Sequence, residues 1–337
     1  MQQNVANIIP ETKSTWQNSL QDLITDPAEL ANLLEIESPA WLEKAYEVSK
    51  LFPLKVTKAF AARMQKQNLN DPLLLQVLPS HLELSKHSDF SKDPLEEVET
   101  NPLPGLIHKY RTRVLVTLTG HCAVHCRYCF RRHFPYDENR PGKAGLKAIL
   151  NYIKDHPEVN EIILSGGDPL TVPDDLLAYF IENAAELAQI VTVRIHTRIP
   201  IVLPERINQS LINALTKTRL NMVIVLHCNH AYELDAEVGI ALQQLKKANI
   251  WLLNQSVLLK GINDDVLQLK QLSEKLFDLG VLPYYLHLLD KVEGAEHFAI
   301  PDNAAKLLHN ALKNQLPGYL VPKLVREIPK AGAKTWI

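Results

Sequence analysis

The stretch RVLVTLTGHCAVHCRYCFRR, residues 113–132, joins two signals. Its first six residues are apolar or β-branched apart from the leading arginine, which predicts a short strand. Three thiols follow within eight residues, Cys122, Cys126 and Cys129, in a chain that has only four cysteines. Arg127, Arg131 and Arg132 are set among and directly after them. The same alternation then repeats. Strand-like runs come at EIILS (161–165), VTVRIHT (191–197), NMVIVLH (221–227), IWLLNQSVLL (250–259) and VLPYYLHLL (281–289), with amphipathic patterns such as DDLLAYFIENAAELA and DDVLQLKQLSEKLFDLG between them. Strands alternating with helices predict βαβ units and a parallel sheet. The expected fold class is α/β, a partial or complete (β/α) barrel, with a doubly wound sheet as the main rival. Each run ends in a polar cluster: GHCAVHCRYC, SGGDP, HTR, HCNH, NQS and HLLD. In βα barrels the active site lies at that edge. Ordinary turn chemistry would not place six such clusters in a row.

Upstream, residues 14–75 carry helical patterns (WQNSLQDLI, PAELANLLEI, PAWLEKAYEVSKLF), and residues 76–112 read as a Pro-rich, weakly periodic connector. The expected organisation is an N-terminal helical region with connector over 1–95 and a barrel over 96–337. An apolar fraction of 46%, a charged fraction of 22% and a net charge of −2 suit an ordinary globular chain and give no nucleic-acid footprint. The N-terminus MQQNVANIIPETKSTW has no signal-peptide pattern, and no apolar run reaches membrane-spanning length. A cytoplasmic protein is expected, where clustered cysteines more often bind metal than pair.

Three local thiolates leave a metal site incomplete. A structural zinc would need a fourth ligand, and His121, His125 and His133 are the nearby candidates. An iron–sulfur cluster would instead keep one iron open. Ser165-Gly166-Gly167-Asp168 at the second edge either lets backbone approach a ligand or forms a helix-start turn capped by Asp168. Gln255 and Ser256 are strand-end polar residues, either ligand contacts or solvated. Cys228 reads as a small buried hydrophobe. The tail LVREIPKAGAKTWI presents Lys334 after small residues.

The C-x3-C-x2-C spacing with an aromatic before the last cysteine resembles the radical S-adenosylmethionine superfamily. With Arg131 and Arg132 after it and Lys334 after a small-residue segment, the chain from about 95 to 335 resembles the lysine 2,3-aminomutase family. The resemblance implies a [4Fe–4S] cluster on Cys122, Cys126 and Cys129, whose open iron chelates S-adenosyl-L-methionine. It implies that SGGD stands where the family's GGE receives the methionine amino group, with Gln255 and Ser256 as further contacts. It makes Lys334 the catalytic lysine that forms a Schiff base with pyridoxal 5'-phosphate. Lys109, Tyr110 and Arg113 then surround the ring and phosphate, with Lys109 where better-known members have Arg. Arg131 is implied to hold the substrate carboxylate. Asp290 and Glu327 are implied to hold a lysine ammonium, with Glu327 where the family has Asp.

The activity so implied is an isomerase converting L-lysine to β-lysine by 2,3-amino migration. Only three residues follow Lys334, which resembles the bacterial subgroup supplying (R)-β-lysine for modification of translation elongation factor P. Implied partners are lysine, a reductant protein and, indirectly, elongation factor P with its lysyl ligase; a homo-oligomer is left open. The rivals are action on another amino acid and a non-catalytic metal-cluster binding module.

Overall fold

A computed structural model describes residues 15–337. The start of the N-terminal stretch read for a signal peptide, residues 1–14, lies outside the described residues. Four short helices come first: α1 (Thr15–Gln21), α2 (Pro27–Leu33), α3 (Pro39–Ser49) and α4 (Lys58–Ala61). Strands β1 (Leu106–Tyr110) and β2 (Arg113–Thr119) follow the connector. Then come α5 (Gly142–Lys154), β3 (Glu161–Gly166), α6 (Asp174–Ala185), β4 (Thr192–Thr197), α7 (Ile199–Val202) and α8 (Gln209–Thr216). The chain continues through β5 (Asn221–His227), α9 (Ala236–Lys247), β6 (Trp251–Leu258), α10 (Val266–Asp278), β7 (Leu282–Leu288) and α11 (Asp302–Lys313). It ends in β8 (Lys323–Arg326) and β9 (Thr335–Trp336).

The strands form one nine-stranded sheet in sequence order. Ladders from β2 through β8 are parallel, and β1 and β9 add antiparallel edges. Among the described residues no ladder joins β1 to β9, so the barrel is partial. Side chains bridge the gap instead: Tyr110 donates to Glu327, and Lys330 pairs with Glu96 at 2.9 Å and Glu99 at 3.0 Å.

Strand alternation explains how the sheet carries both a core and a site. The outward positions Val114, Val116, Ile162, Leu164, Val193, Ile195, Met222 and Ile224 are buried in one large apolar cluster. Helices cover them with stripes at three- and four-residue steps, such as Leu146, Ile149, Leu150 and Ile153 of α5. Each such side chain contributes roughly 1.5–3 kcal/mol on burial. Inward positions of the same strands carry Arg113, Ser165, Arg194 and His196 to a central cavity. The N-terminal Trp16, Leu30, Leu54 and Phe60 belong to the same apolar cluster as the strands, so that region is packed onto the barrel.

The six strands read from sequence each match to within one residue at either end. The segment expected to be a connector, residues 76–112, contributes a strand. Residues 106–110 pair with β2 through Leu106↔Val116 and Ile107↔Leu115, because only two apolar positions are needed at an antiparallel edge. Among the described residues, no helix is long and apolar enough to cross a membrane.

Candidate active site

The loop after β2 is clamped from three sides. From β3, the Gly167 amide donates to Thr119 O at 2.8 Å and the Asp168 amide to His121 O at 2.7 Å. A Cβ on Gly167 would lie 2.4 Å from His121 O, so only glycine permits this approach. From the N-terminal region, Lys55 O accepts from the His125 amide and Gln76 O from the Arg127 amide, each at 2.9 Å. Arg127 is fully buried and donates to both oxygens of Glu83, at 2.8 and 2.5 Å. Arg132 reaches Glu83 at 2.7 Å and Gly294 O, beyond β7, at 2.8 Å. Two of the three arginines therefore hold the loop in place.

The thiols so positioned are half-buried and line the cavity. Burial pushes the Cys122 thiol well up and that of Cys129 to about 11, with neighbouring cysteines adding to both. A metal's charge would invert that preference and draw out thiolates. Among the described residues no three His, Cys, Asp or Glu side chains converge on one ion. Three local thiols suit a cluster, which takes one thiolate per iron, better than a structural zinc, which takes four ligands. His125 Nδ1 donates to Pro53 O at 2.9 Å and His133 Nε2 to Glu293 O at 3.1 Å, which leaves the other ring nitrogen of each uncommitted.

Two sequence readings are decided at the neighbouring edges. The Asp168 carboxylate accepts from Thr197 Oγ1 (2.7 Å), Arg198 N (2.7 Å), Ile199 N (3.1 Å) and Leu170 N (3.1 Å). It is a cap that ties the β3 and β4 exits together, the second of the two readings its sequence allowed, and it lies at the cavity lining. The glycines likewise serve the close approach to the cysteine loop, while Gly166 O accepts from Tyr136 at 2.6 Å. Ser256 needs correction. Successive strand residues face opposite ways, so Gln255 lines the cavity while Ser256 lies behind the sheet, donating to Cys228 O at 2.7 Å. Cys228 itself is fully buried, as a small hydrophobe should be.

Across the cavity, the C-terminal segment brings Lys334 Nζ to 2.7 Å from Glu327 Oε2, and Tyr110 donates to the other Glu327 oxygen. Burial pushes the Glu327 carboxyl up, but Lys334, Tyr110 and Lys109 outweigh it and hold it below its ordinary value. Lys334 Nζ also lies 5.7 Å from the Tyr285 ring centre, and Arg113 stacks 4.2 Å over Tyr110. Asp290 Oδ1 has no hydrogen-bond partner, and burial pushes its carboxyl up to about 7 against the pull of Lys334.

Arg131 is already engaged on three of its N–H groups. Its Nε and Nη2 donate to Glu97 at 2.7 and 2.9 Å, and its Nη1 to Ser165 Oγ at 3.0 Å. A guanidinium has five N–H donors, so one remains on each terminal nitrogen. Lys109 joins the same carboxylate at 3.3 Å. Sequence gave no hint of Glu97, which lies 34 residues from Arg131.

Sequence reasoning also assigned no role to three histidines, although it noted the clusters that hold them. His196, His227 and His287 face the cavity from β4, β5 and β7. Burial lowers all three, His227 to about 3 and the others well below the usual range, so all are neutral at pH 7. His227 Nε2 accepts from the Gln255 amide at 2.8 Å, whereas His196 Nε2, His287 Nε2 and Arg194 Nε have no partner. Buried polar atoms without partners cost free energy unless a ligand satisfies them. The cavity of about 380 Å³ is therefore built to hold one, with thiols on one side and Lys334 on the other.

Comparison with known proteins supplies the context. The Radical SAM superfamily model matches residues 116–222. An L-lysine 2,3-aminomutase of Haemophilus influenzae is 47% identical over 323 residues, covering 96% of this chain and 95% of that protein. An L-lysine 2,3-aminomutase of Escherichia coli is 44% identical over 332 residues, covering 98% and 97%. A glutamate 2,3-aminomutase of Clostridioides difficile is 30% identical over 339 residues, covering 99% and 79%.

Proposed function

Because this chain belongs to the L-lysine 2,3-aminomutase family of radical SAM proteins, we propose that it makes (R)-β-lysine from L-lysine, for attachment to translation elongation factor P. As a member of that family it is an isomerase that works with a [4Fe–4S] cluster, S-adenosyl-L-methionine and pyridoxal 5'-phosphate. When bound, these groups supply a carbon radical able to take hydrogen from an unactivated carbon and a π system through which an amine can migrate.

The residues divide that work. Cys122, Cys126 and Cys129 ligate the cluster on the loop that Glu83 and Gly167 hold rigid. Lys334 offers the amine, and Lys109, Tyr110 and Arg113 surround the phosphate end, where cations suit a dianion. His196 and His287 add neutral ring nitrogens, each able to donate or accept according to its tautomer, that need no counter-charge. Gln255 orients from β6. Arg131, fixed on one edge by Glu97, presents its remaining two N–H groups to the substrate carboxylate. Asp290 and Glu327 receive the side-chain ammonium, with Glu327 also in contact with Lys334 at 2.7 Å. The apolar walls, Ile107, Leu115, Ile163 and Val257 among them, keep water from the reacting carbons.

The observation that carries the substrate choice is the pair Asp290 and Glu327 in one cavity with Lys334. Two acids at that end repel a side-chain carboxylate, which opposes glutamate. The experiment is anaerobic incubation of the reconstituted protein with S-adenosylmethionine, reductant and L-lysine, with chiral separation of the products. (R)-β-Lysine should accumulate, and transfer to elongation factor P in a coupled reaction with its lysyl ligase should follow. Equal turnover of glutamate, or a product of the opposite hand, overturns the substrate assignment.

A further inference from the structure

Arg198, the residue after β4, has a setting that its place at the cavity rim does not require. Its guanidinium is 4% exposed. Nη1 donates to Cys126 Sγ at 2.8 Å and to Tyr128 Oη at 2.9 Å, and Nη2 donates to Gln76 Oε1 at 2.6 Å and Glu233 Oε2 at 3.0 Å. Phe60 and Tyr128 present ring faces 5.0 and 5.9 Å from its central carbon. Glu233 is fully buried, and its other oxygen accepts from Asn229 N, His230 N and Gln76 Nε2 at 2.9 to 3.1 Å. The ion pair thus has a fixed direction, with its positive end against a cysteine sulfur and its negative end anchored in the loop after β5. Among the described residues, Cys126 is the only one of the three loop cysteines whose sulfur receives a guanidinium hydrogen bond.

We propose that Arg198 sets the reduction potential of the iron–sulfur cluster, by placing a buried positive charge on the Cys126 sulfur that Glu233 partly offsets. The inference rests on the cluster reading of the cysteine loop; the thiol here stands in for the ligating thiolate. Reduction adds one electron to the cluster from the external reductant, with no bond made or broken. The added negative charge is stabilised by a hydrogen-bonded cation in a low-dielectric site, more so in the reduced state than in the oxidised one. Arg198 therefore raises the potential, and Glu233 limits the rise. Arg198 acts on the electron-accepting step through Cys126 and is a positioning residue.

The test is a redox titration of the reconstituted full-length protein, followed by electron paramagnetic resonance of the reduced cluster, for wild type, Arg198→Gln and Glu233→Gln. Arg198→Gln should lower the reduced-to-oxidised ratio at fixed potential about tenfold, a shift of about 59 mV to more negative values for a one-electron couple. Glu233→Gln should shift the midpoint the other way. An unchanged midpoint in a fully loaded Arg198→Gln protein overturns the proposal, as do shifts of the same sign in both variants. Where Arg198→Gln fails to hold a cluster, Glu233→Gln decides: a more positive midpoint supports the proposal, and any other result overturns it. A wild-type chain that takes up no cluster removes the reading underneath, which is a different failure from a loaded cluster that ignores Arg198.

Discussion

The cysteine loop and the wall beside Lys334 face the same cavity but are built on opposite terms. Around the loop, each arginine has a carboxylate, although Arg132 and Arg198 each keep one buried nitrogen without a partner: Arg127 and Arg132 share Glu83, Arg131 lies in the fork of Glu97, and Arg198 lies between Cys126 and Glu233. On the wall, His196, His287, Arg194 and Asp290 each keep a buried polar atom without a partner. Paired charges fix geometry, and unpaired polar atoms mark where a ligand must complete the structure. The loop is scaffolding that presents three sulfurs. The wall is the unfinished side.

That contrast can be broken first at Lys334. Lys334→Ala should lower turnover on the order of 10³-fold or more, because the nucleophilic amine is gone, while the iron–sulfur absorbance stays. Loss of the iron–sulfur absorbance as well as turnover would make the tail part of the scaffold. Next, Glu83→Ala strands two buried arginines and should cost about 3–5 kcal/mol, read as a lower denaturation midpoint together with poor iron retention. A normal midpoint would mean that the loop does not depend on the pairs holding it.

Asp290 gives a smaller, pH-dependent effect. With its carboxyl pushed up to about 7, it is neutral below that pH and a carboxylate above it. A lysine ammonium needs the carboxylate, so the KM for lysine should fall as pH rises through about 7, and Asp290→Asn should flatten that profile. A KM that rises over the same interval contradicts the assignment. Smallest is Glu97→Gln, which keeps the shape but loosens Arg131. It should raise the KM for lysine by about tenfold, the scale of one charge-assisted hydrogen bond, with kcat little changed.

Much of this was legible in the chain, for reasons particular residues make plain. Strands β2 to β7 each carry an apolar outward face bounded by polar edges, so periodicity and spacing located them. Strand β1 has Leu106 and Ile107 and then the polar His108-Lys109-Tyr110, too short an apolar signal to stand out. Strand β8 is four residues long, directly after Pro322. Within the site, residue type and spacing pointed to the cysteines, and the family resemblance to Lys334, Asp290 and Gln255, all of which face the cavity. Parity decided against Ser256, and hydrogen-bond supply made Asp168 a cap; neither can be read without the strand's phase and the loop's fold. The pairing of Arg131 with Glu97 depends on how the connector folds over the mouth, which no local pattern encodes.

The direct test of the unfinished wall is chemical. Borohydride reduction of the protein loaded with pyridoxal 5'-phosphate fixes the cofactor to the amine it occupies, and peptide mass mapping then finds that amine. The contrast between paired loop and unpaired wall predicts a single modified lysine, Lys334. Modification at Lys109 or Lys323 instead, with Lys334 untouched, would contradict it.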